Sequence, residues 1–148
     1  MSRSPSARSR NAYGRAVRTP LPAVAVVVSF IDRVNHGDVD GLAALMTDDH
    51  LLQVFGEPPL IGRAANVDAW RGYFASFPDY VVHPRQIGEH QGLVAVLGHT
   101  TGSHLGLADG EESTVTLIWL AKVLDGAVAS WTLIEDTPHH RTRLGLCG

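Results

Sequence analysis

The chain has 148 residues, which is the length of one ordinary domain and enough to bury a core. Residues 1–20 hold five arginines and no acid, whereas residues 21–138 hold five basic and fifteen acidic residues, and this acidic excess argues against a nucleic-acid groove. The longest apolar run is far too short to cross a bilayer, and the single cysteine, Cys147, excludes a disulfide framework, so we expect a cytoplasmic protein.

The first segment, residues 1–20, is rich in serine and arginine and offers almost nothing to bury. We interpret it as a flexible tail that adds little to stability, with an organellar transit peptide as the alternative. One domain is predicted over residues 21–138, and residues 139–148 are assigned to a C-terminal tail.

Three helices are predicted in this domain, near residues 22–35, 38–46 and 64–76. Asp38 is placed to cap the second helix, and Pro78 follows the end of the third. The apolar residues of the first helix recur at helical spacing, at Val24, Val27, Val28, Ile31 and Val34. The third helix carries an apolar stripe of Val67, Trp70, Tyr73, Phe74 and Phe77.

Strands dominate the rest of the chain. One strand, "TDDHLLQVFG", precedes the third helix, and four follow it, in "DYVVHPRQIGEH", "LVAVLGHTTGSHL", "STVTLIWLAKV" and "DGAVASWTLIED". The pair Asp125-Gly126 predicts a tight hairpin turn, and residues 106–112 are predicted to form a longer polar loop. Helices followed by a run of antiparallel strands predict an α+β fold, with the helices packed on one face of a sheet.

Four stretches occur in an order typical of one protein family. "FIDRVNHGDVDGLAALMTDDHLLQVFGEPPLIGR" and "WRGYFASFPDY" match its first half, "TTGSHLG" matches one of its strands and "KVLDGAVASW" its final hairpin. Together they resemble the SnoaL-like polyketide cyclases of the nuclear transport factor 2-like superfamily, to which ketosteroid isomerase and limonene-epoxide hydrolase also belong. The resemblance implies a cone of three N-terminal helices on a strongly curved antiparallel sheet, an apolar pocket and a homodimer.

The family's catalytic histidine falls on His104 of "GSHLG" in this chain. The family's usual carboxylates fall on Trp119 and Val54, so both acids are missing. The carboxylate base of ketosteroid isomerases and the Asp-Arg-Asp relay of limonene-epoxide hydrolases therefore have no counterpart here. Glu57 and Glu135 are the nearest replacement carboxylates, and both are expected at the surface.

Strand alternation places Thr100 on the pocket face together with an inward-turned His104, and it places His99 and Ser103 on the opposite face. A histidine there is able to exchange protons near neutral pH, or it is only a hydrogen-bonded part of the pocket wall. The resemblance and the aromatic content give a set of substrate-binding candidates, with core packing as the alternative for each aromatic residue. The set is Trp119, Trp70, Tyr73, Phe55, Val54, Thr100 and Trp131.

Two classes of function stay open. The first is a cyclase, dehydratase or isomerase that acts on an apolar cyclic or polyketide-like substrate by proton transfer through His104. The second is a non-catalytic module that binds a ligand or another protein. No metal site is predicted, because the eight histidines show no ligand spacing supported by a carboxylate, and no cofactor is implied. The expected partners are a small apolar molecule and a second copy of the chain, with no nucleic acid and no membrane.

Overall fold

The computed structural model describes residues 22–147, so the tail predicted at residues 1–20 lies outside the described residues. The helices are α1 (Ala23–Asn35), α2 (Val39–Ala44), α3 (Arg63–Ser76), α4 (Asp109–Glu112) and α5 (Pro138–Arg143). The strands are β1 (Met46–Val54), β2 (Leu60–Ile61), β3 (Val81–His90), β4 (Leu93–Thr101), β5 (Leu117–Leu124) and β6 (Ala127–Glu135). No helix within the described range is both long and apolar enough to span a membrane.

The strands form one six-stranded sheet in the order β2-β1-β6-β5-β4-β3. Neighbouring strands are antiparallel except β1 and β6, which are parallel. Irregularities in the pairing of β1 with β6, β3 with β4 and β5 with β6 bend the sheet, because an extra residue in one strand increases its local twist. The predicted α+β class is therefore confirmed, with one parallel pair in the sheet.

The three predicted helices are present, but they are not consecutive. Only α1 and α2 precede the first strand, and α3 follows β1 and β2. Asp38 caps α2 as predicted, since its carboxylate accepts a hydrogen bond from the backbone N–H of Gly41 at 2.9 Å. The second helix ends at Ala44 rather than at Met46, because Met46 already belongs to β1.

The core lies between α1, α3 and the inner face of the sheet. Val28 was expected in the buried stripe of α1, but 47% of its surface is exposed. The reason is that Phe30 is fully buried and packs against the ring of Trp131, so the buried stripe of α1 is centred on Phe30. The buried residues of this helix are Val26, Val27, Phe30, Ile31 and Val34.

The turn between β5 and β6 confirms the hairpin prediction, since Asp125 and Gly126 have φ angles of 51° and 79°. The polar loop predicted at residues 106–112 is instead partly helical, because α4 occupies its second half. This short helix holds Glu112, which is 1% exposed.

The outer face of the sheet is partly covered by the C-terminal segment. Leu146 is buried there against Leu97 and Ile118. An ion pair at 2.6 Å between Asp136 and Arg141 attaches α5 to the end of β6. The described part of the segment assigned to a C-terminal tail, residues 139–147, thus packs on the sheet.

Candidate functional site

An open cavity of about 200 Å³ lies between α3 and the inner face of the sheet. Six of the sequence candidates line it: Val54, Trp70, Tyr73, His104, Trp119 and Trp131. The sequence did not single out the other four lining residues, Leu52, Ala69, Tyr80 and Leu133. The walls are thus aromatic and aliphatic, and the polar groups lie near Tyr73 and His104, which suits recognition of an apolar ligand with few polar atoms.

His104 lies at the mouth of this cavity, but not on a strand. The sequence predicted a strand that runs to residue 105, and this prediction is wrong because β4 ends at Thr101. Gly102 has a φ of 67° and turns the chain towards α3. A Cβ atom at this position would lie 2.4 Å from the carbonyl oxygen of Asp79, so the close backbone approach requires glycine.

The turn after β4 places His104 beside Tyr73 of α3. The tyrosine oxygen lies 2.8 Å from Nδ1 of His104 and accepts a hydrogen bond from the His104 backbone N–H at 3.2 Å. The ring of Phe77 packs edge-on against the imidazole. Burial raises the pKa of the Tyr73 phenol, with Glu112 adding to the effect and the His104 backbone N–H opposing it, so the phenol stays protonated near neutral pH.

A buried carboxylate stands behind this pair, on α4. Glu112 accepts hydrogen bonds from the Thr100 hydroxyl and, at 3.4 Å, from the Ser103 backbone N–H. Burial by itself would raise the pKa of Glu112, but these hydrogen bonds and the nearby His104 outweigh it and hold the pKa below 4.5. A negative charge therefore persists next to the histidine at neutral pH.

Two of the sequence candidates lie outside the cavity lining. Thr100 is on the inner face as predicted, but it is 4% exposed and its hydroxyl is bonded to Glu112. Phe55 lies just beyond β1 and is 49% exposed. Glu57 and Glu135 are exposed, as expected, so neither supplies the missing acid.

His99 faces the outer side of the sheet, as strand alternation predicted. Its ring stacks on that of His83, with centroids 4.6 Å apart, and its Nδ1 accepts a hydrogen bond from Arg85 at 3.2 Å. Burial and the two basic neighbours lower the pKa of His99. Within residues 22–147 there is no group of three or more histidine, cysteine or acidic side chains arranged to hold a metal ion.

The sequence profile of the SnoaL-like domain matches residues 27–131. The chain belongs to the SnoaL-like domain family. No curated protein matches the sequence of this SnoaL-like domain significantly. The assignment agrees with the resemblance seen in the sequence motifs, and the matched range includes every residue that lines the cavity except Leu133.

Several solved structures share the fold of this SnoaL-like domain. A cystatin-fold protein from Novosphingobium aromaticivorans has a TM-score of 0.68 at 16% identity, over 78% of this chain and 99% of the other. IdmH, a candidate polyketide cyclase from Streptomyces antibioticus, has a TM-score of 0.62 at 21% identity, over 85% and 100%. An epoxide hydrolase of M. tuberculosis that resembles limonene-epoxide hydrolase has a TM-score of 0.58 at 16% identity, over 77% and 82%. At these identities the likeness establishes the fold alone.

Sequence reasoning missed two features of the site. The sequence indicates Tyr73 only as part of an aromatic wall, because Tyr73 and His104 are 31 positions apart and no local signal marks their contact. It overlooked Glu112, because one acid within "ADGEES" has no period or spacing that marks it as buried. The charge pattern favoured an exposed loop there.

Proposed function

We propose that this SnoaL-like domain is an enzyme that moves a proton on a small apolar cyclic substrate, in a cyclase, dehydratase or isomerase reaction. The observation that carries the proposal is the contact between Tyr73 and Nδ1 of His104 at the mouth of an aromatic cavity. This contact joins an imidazole, which is able to transfer a proton, to a hydroxyl donor, next to an apolar cavity.

The size of the cavity supports a substrate of one or two rings. An apolar cavity of roughly 150 Å³ accommodates benzene, and this one has about 200 Å³ and an open mouth. A larger polyketide-like substrate would have to extend beyond the mouth, past His104.

The chemistry follows from which nitrogen of His104 is free. With the proton on Nδ1, that N–H donates to the Tyr73 oxygen, and Nε2 takes a proton from a carbon next to a substrate carbonyl. The electron pair of the broken C–H bond moves to the carbonyl oxygen, which becomes an enolate. The Tyr73 hydroxyl donates to that oxygen. His104 then returns the proton in one of three ways. In an isomerase reaction it protonates another carbon, and in a dehydratase reaction it protonates a β-hydroxyl group, which leaves as water as the enolate electrons form a C=C bond. In a cyclase reaction the enolate carbon attacks a second carbonyl of the substrate, whose C=O π bond breaks, and His104 protonates the resulting alkoxide.

Glu112 supports this role through its charge. Attraction between Glu112 and His104 contributes to the lowered pKa of Glu112, so a charged carboxylate lies near the histidine that takes the proton. Glu112, on α4, is thus the carboxylate that would replace the family acids missing at Val54 and Trp119.

The experiment is a screen of one- and two-ring apolar ketones and hydroxyketones, with binding followed by tryptophan fluorescence and conversion by mass spectrometry. His104→Gln and His104→Ala should each lower turnover by about 10²- to 10⁴-fold and leave affinity within a few-fold of the parent. His99→Gln, on the outer face, is the matched control and should react like the parent. Turnover that survives both His104 substitutions would contradict the proposal.

A non-catalytic binding module is the second candidate. The observation that favours it is that Val54 and Trp119 line the cavity where the family's acids usually stand. A ligand that binds in the screen without being converted, with equal affinity for the parent and for His104→Gln, would support this alternative. The homodimer implied by the family resemblance stays a prediction, which sedimentation velocity would test.

A further inference from the structure

Three buried polar atoms lack a hydrogen-bond partner in the described part of the chain. They are Nε2 of His50, Oδ1 of Asn66 and Nε1 of Trp70. His50 and Asn66 are fully buried and Trp70 is 8% exposed. A buried polar group without a partner costs about 1–3 kcal/mol, so three such atoms require an explanation.

The three atoms belong to two elements, β1 and α3, that both contribute residues to the cavity wall, although His50 and Asn66 do not line the cavity themselves. His50, Leu52 and Val54 alternate onto one face of β1, and the last two line the cavity. Asn66 and Trp70 are four residues apart on α3 and share a helix face, and Trp70 lines the cavity too. The amide nitrogen of Asn66 donates to the backbone oxygen of His50 at 3.0 Å, which joins β1 to α3.

The hydrogen bonds that the same side chains already make determine whether each unpartnered atom is a donor or an acceptor. Nδ1 of His50 lies 2.7 Å from the carbonyl oxygen of Val128, which is only an acceptor, so Nδ1 carries the proton and Nε2 is an acceptor. Burial lowers the pKa of His50, against smaller opposing effects of Val128 and Asp49, which keeps the ring neutral near neutral pH. Trp70 offers one N–H donor, and Asn66 offers a second acceptor.

We propose that Trp70, with His50 and Asn66 next to the cavity wall, forms a polar subsite that binds a ligand hydroxyl group. A hydroxyl accepts from the Trp70 N–H and donates to His50 or Asn66, whereas a carbonyl oxygen would leave both acceptors without a donor. The subsite rests on the proposed function in one respect, namely that the cavity holds a ligand. It orients that ligand with its hydroxyl group inwards and its other end towards His104.

The test compares p-cresol with p-xylene, two probes of the same shape in which a hydroxyl replaces a methyl group. Binding is followed by NMR of the protein labelled with ¹⁵N at the tryptophan indoles, with resonances assigned from Trp→Phe variants. The parent should bind p-cresol about fivefold more tightly than p-xylene, which corresponds to one net hydrogen bond. The Trp70 indole N–H resonance should move downfield with p-cresol only.

Trp70→Phe removes the donor and keeps an aromatic ring, so the preference for p-cresol should fall towards equality. Trp119→Phe, on the opposite wall, is the matched control and should weaken both probes alike. Equal affinity of the parent for both probes would overturn the subsite while leaving the proposed function intact. If the Trp70 N–H is protected from hydrogen exchange without any probe and its resonance does not move with p-cresol, the three polar atoms bind only a resident water. That result also overturns the subsite. Failure of both probes to bind would overturn the subsite and the proposed function together.

Discussion

Glu112 offers the sharpest test of how the site is built, because Glu112→Gln changes its charge and almost nothing of its shape. Its carboxylate accepts from the Thr100 hydroxyl and the Ser103 backbone N–H in a site that is 1% exposed. In the variant, one amide oxygen remains as an acceptor and the NH₂ group faces a donor. Hydrogen bonds to a charged group contribute about 1.5–3 kcal/mol, so we expect a loss of about 2–3 kcal/mol in the free energy of unfolding at pH 7.

The pH dependence gives the same prediction a second measurement. Because folding lowers the pKa of Glu112, its contribution to stability is present above the unfolded value of 4.5 and is lost as the pH falls through the folded pKa. Urea unfolding of the parent and of Glu112→Gln should therefore differ at pH 7 and converge in acid. Glu111→Gln, an exposed neighbour on α4, is the control and should stay within about 0.5 kcal/mol of the parent. Equal stability of the two variants at pH 7 would refute the reasoning.

Three further predictions concern the frame around the site. Gly102→Ala should lower the free energy of unfolding by more than about 2 kcal/mol and reduce turnover, because the added Cβ would meet the Asp79 carbonyl and the φ of this residue is positive. An unchanged melting temperature would contradict this prediction. Asp136→Asn should lower the free energy of unfolding by about 2 kcal/mol at neutral pH, since the Arg141 ion pair lowers the pKa of Asp136 to about 2. This difference from the parent should vanish as the pH falls from about 4 to 2. Glu135→Gln, at an exposed neighbour, is the control and should show no such pH-dependent difference. Leu146→Ala should cost about 2–3 kcal/mol in urea unfolding, and a neutral result would mean that the C-terminal segment does not pack on the sheet.

The fold could be predicted because its elements carry strong local signals. The helical spacing in α1 and α3, the Asp38 cap and the Asp125-Gly126 turn each depend on a few neighbouring residues. The parallel pairing of β1 with β6 could not be predicted in the same way, because it joins strands about 80 residues apart and no turn connects them.

The cavity wall was largely predictable and its polar chemistry was not. Trp119 and Trp131 stand in strands whose alternation decides which face they occupy. The contact of Tyr73 with His104 depends instead on where β4 ends and on the φ of Gly102, which are properties of the folded chain. Glu112 is buried because the Thr100 hydroxyl and the Ser103 N–H are there to receive it, and no pattern in the sequence reports that.

Proton transfer by His104 is the central claim, and hydrogen–deuterium exchange tests it without knowledge of the natural substrate. The probe is 2-tetralone, an apolar two-ring ketone with acidic C–H bonds beside its carbonyl. In D₂O at neutral pH, NMR should show that the parent accelerates deuterium uptake at these carbons and that His104→Gln loses about 10²-fold or more of this acceleration. His99→Gln should exchange like the parent. Undiminished exchange in His104→Gln, with 2-tetralone still bound, would contradict the account.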